Sequence, residues 1–116
     1  MPKSGKGQTY RHTPAFILLF LARENLYGGA LLHKMHNDLP GYRTDGAVIY
    51  RSLQELEQEG AVTSYWETDL PGPARKWYQI TALGLHKLAG YKDDIEMRKK
   101  NFEYFLAAYG EITGQP

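Results

Sequence analysis

From Ala15 to Ala22 the chain is almost continuously apolar, which reads as a helix buried on most sides. Thr13 followed by Pro14 supplies its start, a hydroxyl N-cap and then the one helical position where proline is favoured. Asn25-Leu26-Tyr27-Gly28-Gly29 interrupts the pattern. A second short helix is expected over Ala30 to His36, with Leu31, Leu32 and Met35 on one side, and Asp38 to Gly41 with Pro40 ends it. Tyr42 and Arg43 lead into a third helix whose N-cap is Thr44 or Asp45 and whose stop is Gly60. There Val48, Ile49, Leu53 and Leu56 recur at helical spacing, while Gln54, Glu55, Gln58 and Glu59 fall largely outside the stripe.

At Ala61 the period changes to two. Ala61 to Thr68 and Ala74 to Ile80 are rich in β-branched and aromatic residues, and Asp69-Leu70-Pro71-Gly72-Pro73 between them is a turn, so the pair reads as a β-hairpin. Thr81 then caps a final long helix. Leu88, Tyr91, Ile95, Arg98, Phe102, Phe105 and Tyr109 step by three and four residues along it, and six of these seven are apolar or aromatic. Such a heptad-like seam requires a partner helix. Gly84 and Gly90 weaken the early turns.

The expected fold is therefore mainly α with a β-hairpin wing: a winged helix-turn-helix followed by a long helix. Residues 1–12 form a basic, flexible arm, residues 13–82 the winged domain and residues 83–116 a dimerisation helix. In this arrangement the third helix enters the DNA major groove and the hairpin follows the backbone or the minor groove. A chain of 116 residues suffices for one modest core.

Composition adds limits. With no cysteine there are no disulfides or thiolate metal sites, and no apolar run approaches the roughly 20 residues of a membrane span. The basic N-terminus has no apolar segment behind it, so it is not a secretory signal, and the expected location is the cytoplasm. The net charge of +1 conceals a segregation: Lys3, Lys6, Arg11 and Arg23 precede any acid, and Glu55, Glu57, Glu59, Glu67 and Asp69 are uninterrupted by a base. Separated charge lets a near-neutral protein present a basic face to a polyanion. Chance clustering on solvated surface is the competing account.

DNA recognition needs cations for phosphates and a few side chains for base edges. Arg43 and Thr44 lie at the groove-facing end of the third helix, with Tyr50 and Arg51 one turn on. Arg51 suits a phosphate or, through its planar fork, a guanine; Tyr50 and Thr44 suit phosphate as hydroxyl donors. Arg75 and Lys76 follow the wing turn and are placed to neutralise backbone phosphates. The alternatives are packing for Tyr50, a solvated charge for Arg51, and edge protection for Arg75 and Lys76. Lys3, Lys6 and Arg11 add a basic arm or a solubilising tail.

The pieces Ile17-Leu18-Leu19-Phe20-Leu21, Leu26-Tyr27-Gly28-Gly29, Ile49-Tyr50-Arg51-Ser52-Leu53-Gln54-Glu55-Leu56-Glu57-Gln58-Glu59-Gly60 and Ala74-Arg75-Lys76-Trp77-Tyr78-Gln79-Ile80-Thr81-Ala82-Leu83-Gly84, in this order, resemble the PadR family of bacterial winged-helix regulators. The resemblance spans residues 13–88. It departs at Asp45-Gly46-Ala47-Val48, where the family commonly reads close to S-P-G-T, and at Gly28-Gly29-Ala30, where an aromatic is missing. Asp45 is then a helix cap or an acceptor for cytosine, not a phosphate contact. The resemblance implies a sequence-specific regulator of double-stranded DNA, commonly a repressor released by a small aromatic or hydrophobic molecule. It also implies a homodimer joined through the last helices, Leu88, Tyr91, Ile95, Phe102, Phe105 and Tyr109 forming the interface, on a pseudo-palindromic operator.

An effector is expected between the paired long helices and helix 1, with Phe16, Phe20, Ile95 and Phe102 as its walls; a filled core is the alternative. His33 and His36, with Asp38 nearby, have metal-compatible spacing but no third firm ligand, so no metal is expected. No cofactor is implied. Gly28-Gly29 is a turn rather than a nucleotide loop, and no nucleophile–histidine–acid set falls on a recognisable motif, so an enzyme is not expected. A winged helix serving protein–protein contacts without DNA is the main functional alternative; it requires Arg51, Arg75 and Lys76 not to share a face.

Overall fold

A computed structural model of the chain describes residues 12–69 and 71–114. Among these residues four helices and three strands follow in the order α1 (Thr13–Arg23), β1 (Leu26–Tyr27), α2 (Gly28–Asp38), α3 (Gly46–Gln58), β2 (Val62–Glu67), β3 (Arg75–Ile80) and α4 (Ala82–Thr113). The expected basic arm, with Lys3, Lys6 and Arg11, lies outside the described residues.

The apolar stripes meet in one core. Ile17, Leu18, Phe20 and Leu21 of α1 pack with Leu31 and Met35 of α2, Ile49, Leu53 and Leu56 of α3, and Val62 and Tyr78 of the sheet. Each of these side chains removes apolar area worth about 1.5–3 kcal/mol from water, which offsets the chain entropy lost on folding. Of the α1 run only Leu19 and Ala22 remain substantially exposed.

The starts of α1 and α2 differ from expectation by a residue or two, and those of α3 and α4 agree with it. His12 holds the N-cap position of α1, and Thr13 is buried, its hydroxyl bonded to the Tyr42 hydroxyl. The threonine thus ties the start of α1 to the segment before α3. Asp45 caps α3, accepting the Val48 N–H at 3.1 Å. After α3, Gly60 turns the chain at φ +82°, a left-handed conformation costly for residues with a Cβ. Thr81 caps α4 by accepting the Gly84 N–H at 3.1 Å, and donates to the Gly60 carbonyl at 2.6 Å.

The wing has three antiparallel strands, in the order β1-β3-β2, where the sequence pattern predicts two. Leu26 pairs with Tyr78 and Tyr27 with Trp77. Two residues cannot display a period, so β1 is invisible to pattern reading. In the hairpin Ser64 faces Tyr78, Trp66 faces Lys76 and Glu67 faces Arg75. Paired residues project from the same side, so Ser64, Trp66, Lys76 and Tyr78 share one face, and Arg75 and Trp77 the other.

Among the described residues, only the first half of α4 rests on the domain. Leu88 and Tyr91 pack against the core, and Asp94 joins His12 (3.4 Å) and Arg98 (2.8 Å). The Arg98 guanidinium, aided by His12, holds the Asp94 carboxyl below its ordinary range. Beyond Arg98 the helix projects, giving the molecule extents of 60 × 30 × 27 Å.

Candidate nucleic-acid interface

α3 presents its apolar stripe to the core and leaves Ala47, Tyr50, Arg51, Gln54 and Gln58 outside. Between this helix and the wing runs a groove of about 530 Å³. Tyr50, Gln54 and Glu57 form one wall, Trp66, Ala74, Arg75, Lys76 and Tyr78 the other, and Tyr27 and Gly28 close one end. Helix and wing meet through Glu57, which accepts the Ser64 hydroxyl at 2.6 Å and lies 3.8 Å from the Lys76 ammonium.

Tyr50 is 53% exposed, with its ring laid over the first turn of α2. A Cβ at Gly28 would stand 2.3 Å from the ring, so glycine leaves the space the tyrosine fills. This gives a physical reason for the glycine in Leu26-Tyr27-Gly28-Gly29. The N-cap residue of α2, Tyr27, makes no side-chain cap bond, and the helix N-terminus, with its partial positive charge, opens beside Tyr50.

The expected contact residues are distributed unequally. Tyr50, Arg75 and Lys76 border one groove, whereas Arg51 stands on the exposed ridge of α3 and does not line it. Arg43 is exposed just before α3. The Arg75 guanidinium stacks over the Tyr27 ring at 4.7 Å, and Tyr27 meets Trp77 edge-on at 5.1 Å. Thr44 is placed otherwise than expected: it is 8% exposed, and the His36 imidazole Nε2 lies 2.6 Å from its carbonyl oxygen. The Thr44 N–H lies 3.4 Å from the same Nε2, so the imidazole anchors the backbone before α3, and the threonine hydroxyl is buried instead of being offered to phosphate.

Tyr27, Glu57, Trp66 and Tyr78 also belong to this groove and were not singled out as site residues from the sequence. The family-like pieces contain Tyr27, Glu57 and Tyr78, but only the fold brings them together with Trp66. Burial raises the Tyr78 phenol above its ordinary value near 10, and Glu57 adds to this, against the nearby Lys76 ammonium. The folded state therefore holds this proton more tightly. Its contribution is complete below pH 10 and is lost as pH rises through the folded value. Absorbance titration at 295 nm is expected to show a component ionising above the ordinary tyrosine value, and Tyr78→Phe to remove it; unchanged curves would contradict this placement.

A second groove, of about 560 Å³, lies between α1 and α4. Ala15, Phe16, Leu19, Leu85, Leu88, Ala89 and Ile95 line it, with Lys92 and Glu96 at its edge. Of the four expected effector walls, Phe16 and Ile95 meet here. Phe20 is instead 4% exposed in the core, and Phe102 lies two turns further along α4, outside the groove. His33 and His36 are engaged with Asn37 and Thr44, and no set of three metal-binding side chains assembles among the described residues. Nor is any helix among them long and apolar enough to cross a membrane.

The model of the PadR-like transcriptional regulator family matches residues 17–90, well over half of the chain. The chain belongs to the PadR-like family. Its fold resembles that of a PadR-like regulator from Bacillus cereus, with 26% identity and TM-score 0.72 over 85% of this chain and 96% of that one. A PadR family regulator from Eggerthella lenta gives 22% identity and TM-score 0.75, covering 89% and 88% of the two chains. Bacillus subtilis PadR, solved in complex with operator DNA, gives 22% and 0.63, covering 68% of this chain and 46% of that one. No curated protein matches the chain. The fold is thus the winged helix of this PadR-like family of transcriptional regulators.

Proposed function

We propose that this PadR-like protein binds operator DNA through α3 and the wing, as a homodimer, and represses transcription until a small aromatic or hydrophobic molecule releases it. The observation that carries the DNA reading is the α3–wing groove, where Tyr50, Arg75 and Lys76 line one concave surface beside the open N-terminus of α2. Arg43 and Arg51 flank it on exposed backbone positions of the same helix and its lead-in. Among the described residues no carboxylate pairs with Arg43, Arg51 or Arg75, so these guanidinium groups are available to phosphate or base edges. That a family relative has been solved in complex with operator DNA supports DNA as the partner. A winged helix used only for protein contacts requires Arg51, Arg75 and Lys76 not to share a face; Arg75 and Lys76 do project from opposite faces of the hairpin and Arg51 stands outside the groove, so the choice for DNA rests on the family match and on the groove itself.

Dimerisation rests on the projecting half of α4, where Phe102, Phe105 and Tyr109 continue the seam beyond the domain. Leu88 and Tyr91, expected in the same interface, are partly covered by their own core, so the distal residues carry the association and Ile95 marks the border. Two-fold symmetry then calls for a pseudo-palindromic site with half-sites one helical turn apart. The α1–α4 groove at that border, with Phe16 and Ile95, is the effector site, and its apolar walls suit a flat molecule. The cytoplasm is the compartment that fits these roles.

The decisive experiment is a gel shift on the region upstream of the protein's own gene, across a salt series. A complex whose affinity falls steeply with salt is expected. Arg75→Ala should weaken binding to every sequence by roughly tenfold, while Arg51→Ala also relaxes sequence preference, at about 1–3 kcal/mol for a guanine contact. Planar aromatic compounds should dissociate the complex. No complex at low salt would overturn the DNA reading, and indifference to the compounds would remove the effector.

A further inference from the structure

We propose that Glu57 limits the DNA affinity of this protein by withholding Lys76 from the phosphate backbone. The inference rests on the DNA-binding reading above and concerns the same groove.

The cations of the interface are not equivalent. Arg43 and Arg51 are exposed, and Arg75 lies over a neutral ring. Among the described residues Lys76 alone of the four is ion-paired: its ammonium is 3.8 Å from Glu57 Oε1, whereas Arg75, though opposite Glu67 in the hairpin, forms no salt bridge with it. The same ammonium lies 5.7 Å from the Tyr78 ring centroid and 5.9 Å from that of Trp66. The strand register explains the arrangement, because Trp66, Lys76 and Tyr78 project from the hairpin face turned toward α3. Glu57 is itself held in place, since its other oxygen accepts the Ser64 hydroxyl at 2.6 Å. Lys76 therefore sits between two ring faces and an anchored acid, inside the groove that takes the DNA backbone.

A carboxylate in that position acts twice. It neutralises the lysine, and it adds a negative charge beside the incoming phosphates. A lysine already paired in this way displaces less than one counterion from DNA, so it contributes little to affinity or its salt dependence. Both effects act on the phosphate backbone and carry no sequence information. Glu57 thus weakens binding to all DNA equally and keeps the protein from settling on arbitrary sequence.

Glu57→Gln tests this, since the amide retains the size of the side chain and an oxygen for the Ser64 hydroxyl while removing the charge. Binding to a 30-base-pair operator duplex and to a scrambled duplex would be measured by fluorescence anisotropy across a salt series. Both affinities should rise by the same factor, roughly threefold to tenfold, and the log–log salt slope should steepen by about one. A residue that merely braced the wing would leave affinity equal or lower and the slope unchanged, and that result overturns the proposal. Lys76→Ala supplies a test that does not depend on Glu57→Gln folding. It should cost clearly less affinity than Arg75→Ala in the otherwise native chain, and an equal or larger cost overturns the proposal as well. If the native protein fails to bind either duplex at low salt, the DNA-binding reading itself falls, which is a different outcome from binding without a Glu57 effect.

Discussion

Gly84→Ala is expected to lower the stability of this protein by about 3 kcal/mol, although alanine is the better helix former. Gly84 lies in the first turn of α4 and is buried. A Cβ there would stand 2.2 Å from the Ala61 carbonyl oxygen, 3.2 Å from its carbon and 2.6 Å from Ile80 Cγ1. The closest of these atoms is backbone, and its position is constrained: the Ala61 carbonyl accepts the Thr81 N–H at 3.0 Å, and Thr81 donates its hydroxyl to Gly60. The start of α4, the end of β3 and the turn after α3 converge at this point, so no flexible side chain can absorb the added methyl. The gain in helix propensity, about 1 kcal/mol, is smaller than the overpacking cost. Gly90→Ala is the control, because nothing lies within 4 Å of a Cβ built there. Followed by circular dichroism at equal protein concentration, Gly84→Ala should melt roughly 10 °C below the native chain, and Gly90→Ala at or slightly above it. A Gly84→Ala midpoint within a degree of native would show that the close approach is absent.

Phe105→Asp should convert the proposed dimer to a monomer and weaken operator binding by roughly a hundredfold or more. α4 has 32 residues and is therefore about 48 Å long, yet among the described residues its contacts with α1 and the core run only as far as Glu96. Past that point Phe102, Phe105, Leu106, Tyr109 and Ile112 recur at helical spacing and are each more than half exposed. Phe105 and Tyr109 stack with ring centroids 6.4 Å apart, a preformed aromatic ridge. Burying each such residue against a second copy returns about 2–3 kcal/mol, and an aspartate in the middle of that contact is an unpaired buried charge costing several kcal/mol. A monomer engages one half-site and loses the gain from simultaneous binding of two. Tyr104→Asp lies on the opposite side of the helix, 77% exposed, and should change neither property. Sedimentation equilibrium and operator titration on the two variants separate the cases. A Phe105→Asp protein that remains dimeric would place the interface elsewhere.

The elements were largely legible in the sequence because each carries its own periodic signal. The α3 stripe of Ile49, Leu53 and Leu56 is buried as its spacing requires, and Asp45 caps the helix through a bond of one-turn range. The candidate site was legible only in part. Tyr50, Arg75 and Lys76 do border a common groove, but Thr44 is turned inward and Phe20 belongs to the core. A threonine before a helix and a phenylalanine in an apolar run each have several possible environments, and local pattern does not choose among them. Glu57 went unread as a site residue for a related reason: its partners, Ser64 and Lys76, are 7 and 19 positions away and reach it only through the hairpin register.

Periodicity and capping, which act within a few residues, thus determined by themselves that this chain is a winged helix with a long trailing helix and an apolar seam. Tertiary structure decided what those local signals cannot carry. It divided the seam after Ile95 into a half that rests on α1 and the core and a half that projects, because the described globular body ends there while the helix continues. It added β1 to the sheet, gave Gly28 and Gly84 their reasons in the atoms packed against them, and set Lys76 against Glu57. These are contacts between distant segments, and a contact of that kind is specified by how the core packs, not by the identity of neighbours along the chain.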